Sequence, residues 1–257
     1  MVINTKGLIL KYCDLNDNDR LFTIYCPEIG KITAMSKGIR SHKHKDFAAL
    51  QQFCYSDFVI DNSRGLGYVN SAQIINNFYD MRTSVEKVSF ASYFTDLVSS
   101  LSDELIYDDD FFKFILNTLY MTANAHKKPD MLTELLRLKA IFELKLLSVS
   151  GYMPQVEACE CCGGVKNLSY FDVYSGSAVC SDCNEKGYGS QLVEADTSVI
   201  RIIDFVNRSD YRGVFSFSAQ YESVKTVNEI SERCLVNKTE IYSEKLHYIR
   251  ELILNEQ

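Results

Sequence analysis

Tryptophan is missing from the 257 residues, and proline occurs only 3 times. The aromatic content therefore rests on 16 Tyr and 15 Phe. With so little proline and no Gly/Ser-rich stretch, the chain has no linker marked by composition, no internal repeat and no low-complexity segment. No apolar run approaches the ~20 residues of a membrane-spanning helix, and Met1-Val2-Ile3-Asn4-Thr5-Lys6 lacks the long apolar core of a secretion signal. The Gly-x-x-x-x-Gly-Lys-Ser/Thr phosphate loop and the Gly-x-Gly-x-x-Gly dinucleotide turn are absent, as are the Gly-x-Ser-x-Gly nucleophile elbow and His-Glu-x-x-His. These absences argue against P-loop enzymes, dinucleotide oxidoreductases, hydrolases of the elbow type and zinc proteases. What remains is ordinary for a globular protein: 46% hydrophobic and 24% charged residues, enough for one large domain or a few small ones.

Cysteine is the abundant exception, with 9 residues. Without a secretion signal, that number predicts a reducing, cytoplasmic setting, where metal binding is favoured over disulfides. Cys159-Glu160-Cys161-Cys162 and Cys180-Ser181-Asp182-Cys183 each contain a Cys-x-x-Cys step, separated by the 17 residues 163–179. Two such turns aim four thiolates at one ion, the spacing of a zinc site. Gly163 and Gly164 can supply the positive φ of the first turn. The ligands are thus Cys159, Cys162, Cys180 and Cys183, around one structural zinc. Four thiolates leave no open position for water, which disfavours a zinc hydrolase. The competing reading is a pair of disulfides or free thiols. Cys161 is a spare thiol in the first turn; Cys13, Cys26, Cys54 and Cys234 stand singly in apolar surroundings, as small buried hydrophobes.

The formal net charge of −7 is unevenly distributed. Residues 1–78 carry nine basic side chains (Lys6, Lys11, Arg20, Lys31, Lys37, Arg40, Lys43, Lys45, Arg64) against seven acidic ones, about +2, so the rest holds about −9. From Lys31 to Lys45 there are five Lys/Arg, two His and no acid. Such a stretch suits phosphate, because release of condensed counterions supplies most of the affinity. The candidate DNA contacts are Arg20, Lys31, Lys37, Arg40, Lys43 and Lys45, with Tyr12, Tyr25, Tyr55 and Tyr68 as candidates for base stacking. His42 and His44 read as solvated, and Asp14, Asp17 and Asp19 as a polar inter-strand loop rather than a calcium loop.

Residues 2–13, 20–26, 31–37, 50–60 and 66–75 read as strands, with a basic loop over 38–48. Five short strands within eighty residues predict a small closed barrel, most commonly an OB-fold. From about 83 the period becomes helical, over 84–102, 109–126, 130–149, 195–207, 220–236 and the last stretch to 254. Asp108, Asp109 and Asp110 suit a helix N-terminus, and Gly151 a helix end. The fold class is α+β. An N-terminal barrel (1–80) precedes an all-α domain (81–257) that holds an inserted four-cysteine zinc knuckle (about 156–190).

Several segments, in order, resemble the bacterial recombination-mediator family RecO. They are Lys6-Gly7-Leu8-Ile9-Leu10-Lys11-Tyr12 with Asn18-Asp19-Arg20-Leu21, then Ser36-Lys37-Gly38-Ile39-Arg40, then Leu50-Gln51-Gln52-Phe53. Phe142-Glu143-Leu144, Gly151-Tyr152-Met153-Pro154 and the four cysteines complete the set. The resemblance implies an OB-fold followed by a helical domain with a zinc knuckle. It implies no catalysis, but binding of single- and double-stranded DNA and annealing of complementary strands. It further implies partnership with RecR and the single-stranded DNA-binding protein, loading of RecA in gap and double-strand-break repair, and a place at the cytoplasmic nucleoid. It puts Lys37 and Arg40 in the family's basic segment. The chain departs from the pattern at Ile39, Gln52 and Ala140. The last stands where relatives often carry Arg on a partner-contacting helix; adjacent Lys139 is the expected substitute. The alternative is a zinc-containing protein–protein adaptor with incidental nucleic-acid binding.

Overall fold

The computed structural model describes residues 1–63, 65–101 and 108–255; Arg64 of the basic front lies outside them. The chain forms two compact units, Met1–Asn124 with the segment from Ser243, and Ala125–Tyr242.

In the first unit β1 (Val2–Asp14), β2 (Arg20–Cys26), β3 (Gly30–Ser36), β4 (Tyr55–Asp61) and β5 (Gly67–Asn76) make a closed barrel in the order β1-β2-β3-β5-β4, the expected OB-type arrangement. All pairings are antiparallel except the β3–β5 closure, where Ala34 meets Gly67 and Met35 meets Tyr68. Alternation points Ile9, Phe22, Ile24, Ala34, Phe58 and Ile60 into the core. Each large apolar side chain buried there contributes about 1.5–3 kcal/mol. Glycine is required where strands crowd. A Cβ on Gly7 would lie 2.7 Å from Ile24 Cγ2, and one on Gly67 would lie 3.0 Å from the Thr33 carbonyl at the closure.

The fourth strand starts later than periodicity predicts. Residues 37–54 form successive turns, with Ser41 donating to Gly38, His44 to Ser41 and Phe47 to His44 through backbone N–H groups. Ile39, Leu50, Phe53 and Cys54 are buried, so their apolar character reflects a plug on the barrel rather than a strand. Phe53 adopts φ 69°, which no strand tolerates.

Helix α1 (Val85–Ser100) is capped by Ser84, whose hydroxyl accepts from the Lys87 N–H; α2 (Asp109–Ala123) is capped by Asp108, which accepts from the Asp110 and Phe111 N–H groups. Phe112 of α2 packs edge-on against Tyr25 and Tyr55 of the barrel. The C-terminal helix, labelled α7 below (Lys245–Asn255), returns to α1, and Ser243 donates to Asp96 at 2.9 Å.

In the second unit α3 (Met131–Val149) packs on α5 (Thr197–Arg208) and α6 (Tyr221–Thr239). Gly151, at φ 83°, ends α3. There Tyr152 N–H donates to the Leu147 carbonyl and Gly151 N–H to that of Ser148, a Schellman turn. Between α3 and α5 lie β6 (Leu168–Asp172), β7 (Ser177–Cys180), the one-turn helix α4 (Ser181–Glu185) and β8 (Leu192–Glu194). The strands form an antiparallel sheet in the order β7-β6-β8. Strands of three to five residues are too short to reveal a period, so sequence alone did not expose this sheet. Among the described residues no helix is long and apolar enough to cross a membrane.

Candidate metal centre and nucleic-acid interface

The two cysteine turns meet at the edge of the small sheet. In the first, Gly163, at φ 69°, donates its N–H to the Cys159 carbonyl at 2.8 Å, and Cys159 N–H donates to Gly164 at 2.8 Å. This closes a loop that presents Cys159 and Cys162 together. In the second, β7 delivers Cys180, which begins α4, and the first turn of α4 delivers Cys183. The four sulfurs lie within 4.8 Å of one another and could hold a metal ion; Cys162 and Cys180 Sγ are 3.8 Å apart. Cys159, Cys180 and Cys183 are buried, Cys162 exposed. Val179, Leu168, Tyr170 and Leu192 pack around the cluster.

Burial raises Cys159, but N–H donors from Cys180, Cys162 and Cys161 outweigh it and bring the thiol down to about 6. Cys183 is pushed up by burial and by the neighbouring sulfurs. A thiolate at Cys159 opposes a second one at Cys183, a repulsion that a bound cation would offset. Cys161 is exposed and stands outside the four. Cys26, Cys54 and Cys234 are buried as expected, whereas Cys13 is exposed.

The six basic candidates do not share one environment. Lys37, Arg40, Lys43 and Lys45 are exposed along the turns that follow β3. Lys31 is at the other end of β3. Its ammonium donates to the Ser99 and Leu101 carbonyls at 3.0 and 2.5 Å, anchoring the C-terminus of α1. Arg20 donates to Asp14 at 2.6 Å and lies 4.1 Å over the Tyr12 ring. Arg40 donates to the Asn16 carbonyl at 2.8 Å and is 3.6 Å from Asp14. Lys45 reaches the Asn70 carbonyl at 3.2 Å.

Most acids of this end are engaged. Asp14 faces both arginines. Asp19 accepts from the Asn16 amide and the Gly38 N–H, which hold its carboxyl below the usual range. Asp46 accepts from the Ala72 N–H. Asp17 stays exposed. Asn16 folds the loop on itself by accepting from the Asn18 and Asp19 N–H groups, the polar inter-strand loop expected. Of the four tyrosines, Tyr25 is fully buried and Tyr55 packs on Phe112. Tyr12 and Tyr68 keep partial exposure.

On α3, Ala140 is buried and Lys139 is 1% exposed, 2.8 Å from Glu143 and 2.9 Å from Glu232. Lys139 is therefore a core residue and presents no charge to a partner in place of an arginine at 140.

The family model described as "Recombination protein O N terminal" matches residues 1–78, and that described as "Recombination protein O C terminal" matches residues 82–246. The DNA repair protein RecO of Acetivibrio thermocellus is 29% identical over 251 residues, covering 97% of both chains. That of Alkaliphilus metalliredigens is 27% identical over 92% of this chain and 93% of its own. That of Caldicellulosiruptor saccharolyticus is 31% identical over 72% of this chain and 73% of its own.

Proposed function

The chain belongs to the RecO family, and from that premise we propose that it is a non-enzymatic DNA-binding mediator that anneals complementary single strands. With a RecR partner and the single-stranded DNA-binding protein, it helps load RecA onto coated DNA at gaps and double-strand breaks, at the cytoplasmic nucleoid. The observation that carries this reading is that Lys37, Arg40, Lys43 and Lys45 are all exposed on the turns that follow β3 of a closed five-stranded barrel. Cations held there by a structured set of turns can bind the phosphates of two strands and reduce their repulsion while bases pair. Both single and double strands offer that charge. Arg20 pairs with Asp14 and offsets its charge, and Lys31 secures the barrel to α1.

The metal is assigned as one zinc ion, held by Cys159, Cys162, Cys180 and Cys183. A tetrahedron with zinc–sulfur bonds of ~2.3 Å has edges of about 3.8 Å, and the Cys162–Cys180 separation of 3.8 Å supports that fit. A zinc ion would supply neutralising charge there. With four thiolates it leaves no place for a reacting water, so the site is structural.

Strand annealing by the full chain alone separates this reading from a protein adaptor with incidental DNA binding. Mixed complementary oligonucleotides should pair faster with the protein than without it, and Lys37→Ala/Arg40→Ala should remove most of the acceleration. No acceleration by the unaltered chain favours the adaptor.

A further inference from the structure

Four strands contribute one residue each to a row across the barrel. Cys13 of β1 pairs with Leu21 of β2, Leu21 with Met35 of β3, and Met35 with Tyr68 of β5. The adjacent row, Tyr12, Phe22, Ala34 and Gly67, contains the fully buried Phe22 and Ala34. Strand alternation therefore turns Leu21, Met35 and Tyr68 to the outer face. At the other end of that face, Tyr25 and Tyr55 are covered by Phe112 of α2. At this end Leu21, Met35 and Tyr68 are only half-buried. The side chain over Tyr68 is Lys37, its ammonium 5.6 Å from the ring centroid. Asp61 lies opposite Tyr68 on β4, and its carboxylate accepts from the Ser63 N–H and faces the N-terminal amine.

An aromatic ring on an apolar strip, roofed by an exposed cation, offers two different contacts to a nucleotide. The ring takes the flat face of a base and the ammonium takes the adjoining phosphate. We propose that Tyr68 is a base-stacking platform of the nucleic-acid interface, with Leu21 and Met35 extending its apolar floor and Lys37 holding the next phosphate, so that this face takes single-stranded DNA in preference to duplex. The inference rests on the DNA-binding reading above and adds strand preference to it. The occupant is set by complementarity: Lys37 stands over the ring and Lys45 reaches the carbonyl of Asn70, two residues on from Tyr68, so these cations call for an anionic ligand, and the ring calls for a flat one. Duplex bases have both faces covered by their neighbours, so they meet the cations but not the ring. A platform of one ring immobilises few bases and leaves the others free to pair, as annealing requires.

The test uses the full chain with an oligo-dT strand and with a duplex of equal length, followed by fluorescence anisotropy at several salt concentrations. Tyr68→Ala should weaken single-strand binding by about 5- to 150-fold, the range for losing one stacked aromatic. It should change duplex binding less than about 3-fold and leave the salt slope unaltered, since no phosphate contact is lost. Tyr68→Phe should restore the affinity. Tyr68→Trp places the chain's only tryptophan on the strip; its emission should be quenched by the single strand and not by the duplex, which gives a readout if the alanine variant folds poorly. Equal weakening of both ligands, unchanged single-strand affinity, or an unresponsive tryptophan would each overturn the platform while leaving phosphate binding intact. If the unaltered chain binds neither oligonucleotide at low salt, the DNA-binding reading falls and the platform with it.

Discussion

Stripping the metal is expected to lower the thermal stability of the second unit more than any single side-chain change. Structural zinc sites contribute apparent binding energies of about 10–16 kcal/mol at neutral pH in zinc-finger peptides, and in such sites that energy is folding energy. In this chain the loss would be smaller than in a finger that has no other core, because Val173, Phe171 and Ala178 bury apolar surface next to the knuckle. The four sulfurs are nonetheless held within 4.8 Å. Without a cation, burial and the neighbouring sulfurs hold the Cys183 thiol up, while N–H donors bring Cys159 down to about 6. Elemental analysis should return one zinc per chain, and a chelator should shift the calorimetric transition to lower temperature. Cys180→Ser and Cys183→Ser should each lose the zinc and melt early, while Cys161→Ser keeps both metal and stability. Full retention of zinc in Cys180→Ser would contradict the ligand set; an unchanged melt after verified zinc removal would contradict its structural role.

The second large effect is expected from Lys139→Met. Lys139 and Glu143 are one helical turn apart on α3, 1% and 0% exposed at the side chain and 2.8 Å from each other; Glu232 of α6 completes the triad at 2.9 Å. The Ser231 hydroxyl donates to the second oxygen of Glu143 at 2.6 Å. Burial, opposed by the lysine and assisted by Glu232, raises Glu143, and the lysine is what keeps a carboxylate tolerable there. Removing one member of a buried pair leaves an uncompensated charge, at about 3–5 kcal/mol. For a chain of this size each kcal/mol moves the melting temperature by about 2–4 °C, so a fall of roughly 6–20 °C is expected. Lys139→Met/Glu143→Leu should recover much of it, since an apolar replacement removes the stranded charge as well. Urea denaturation of the single and double variants decides the matter. A single variant within about 1 kcal/mol of the parent would mean that water reaches the triad and screens it.

The sequence carried the elements whose signals are long or chemically specific. Periodicity set β2 at residues 20–26, where the strand is found, and α3 at 130–149 against the observed Met131–Val149. The Cys-x-x-Cys pairs gave the four converging thiols because metal geometry constrains spacing tightly. Where tertiary context decides, the pattern was ambiguous. Leu50 and Phe53 look like strand residues but plug the barrel through turns. The short strands flanking Cys180 have too few residues to alternate visibly. Charge was the least legible feature. Lys31 is as basic as Lys37 in sequence, yet it closes on helix carbonyls, while Arg20 and Arg40 both face Asp14. Those partners lie up to 70 residues away, which no local reading detects. Tyr68 was one of four candidate tyrosines in the sequence, but its row with Leu21 and Met35 was hidden, because that row is assembled by register across four strands.

The most direct measurement is the salt dependence of single-strand binding by the full chain and by a variant with Lys37, Arg40, Lys43 and Lys45 all changed to Ala. Four phosphate contacts predict that log K falls with log salt at a slope of about −3 on a single strand. The variant should be far weaker, with its slope near zero and its melting transition only slightly lowered, since these side chains are exposed and lose only surface contacts such as Arg40–Asn16 and Lys45–Asn70. A slope and affinity that survive the four substitutions would place the DNA on some other surface and contradict the account.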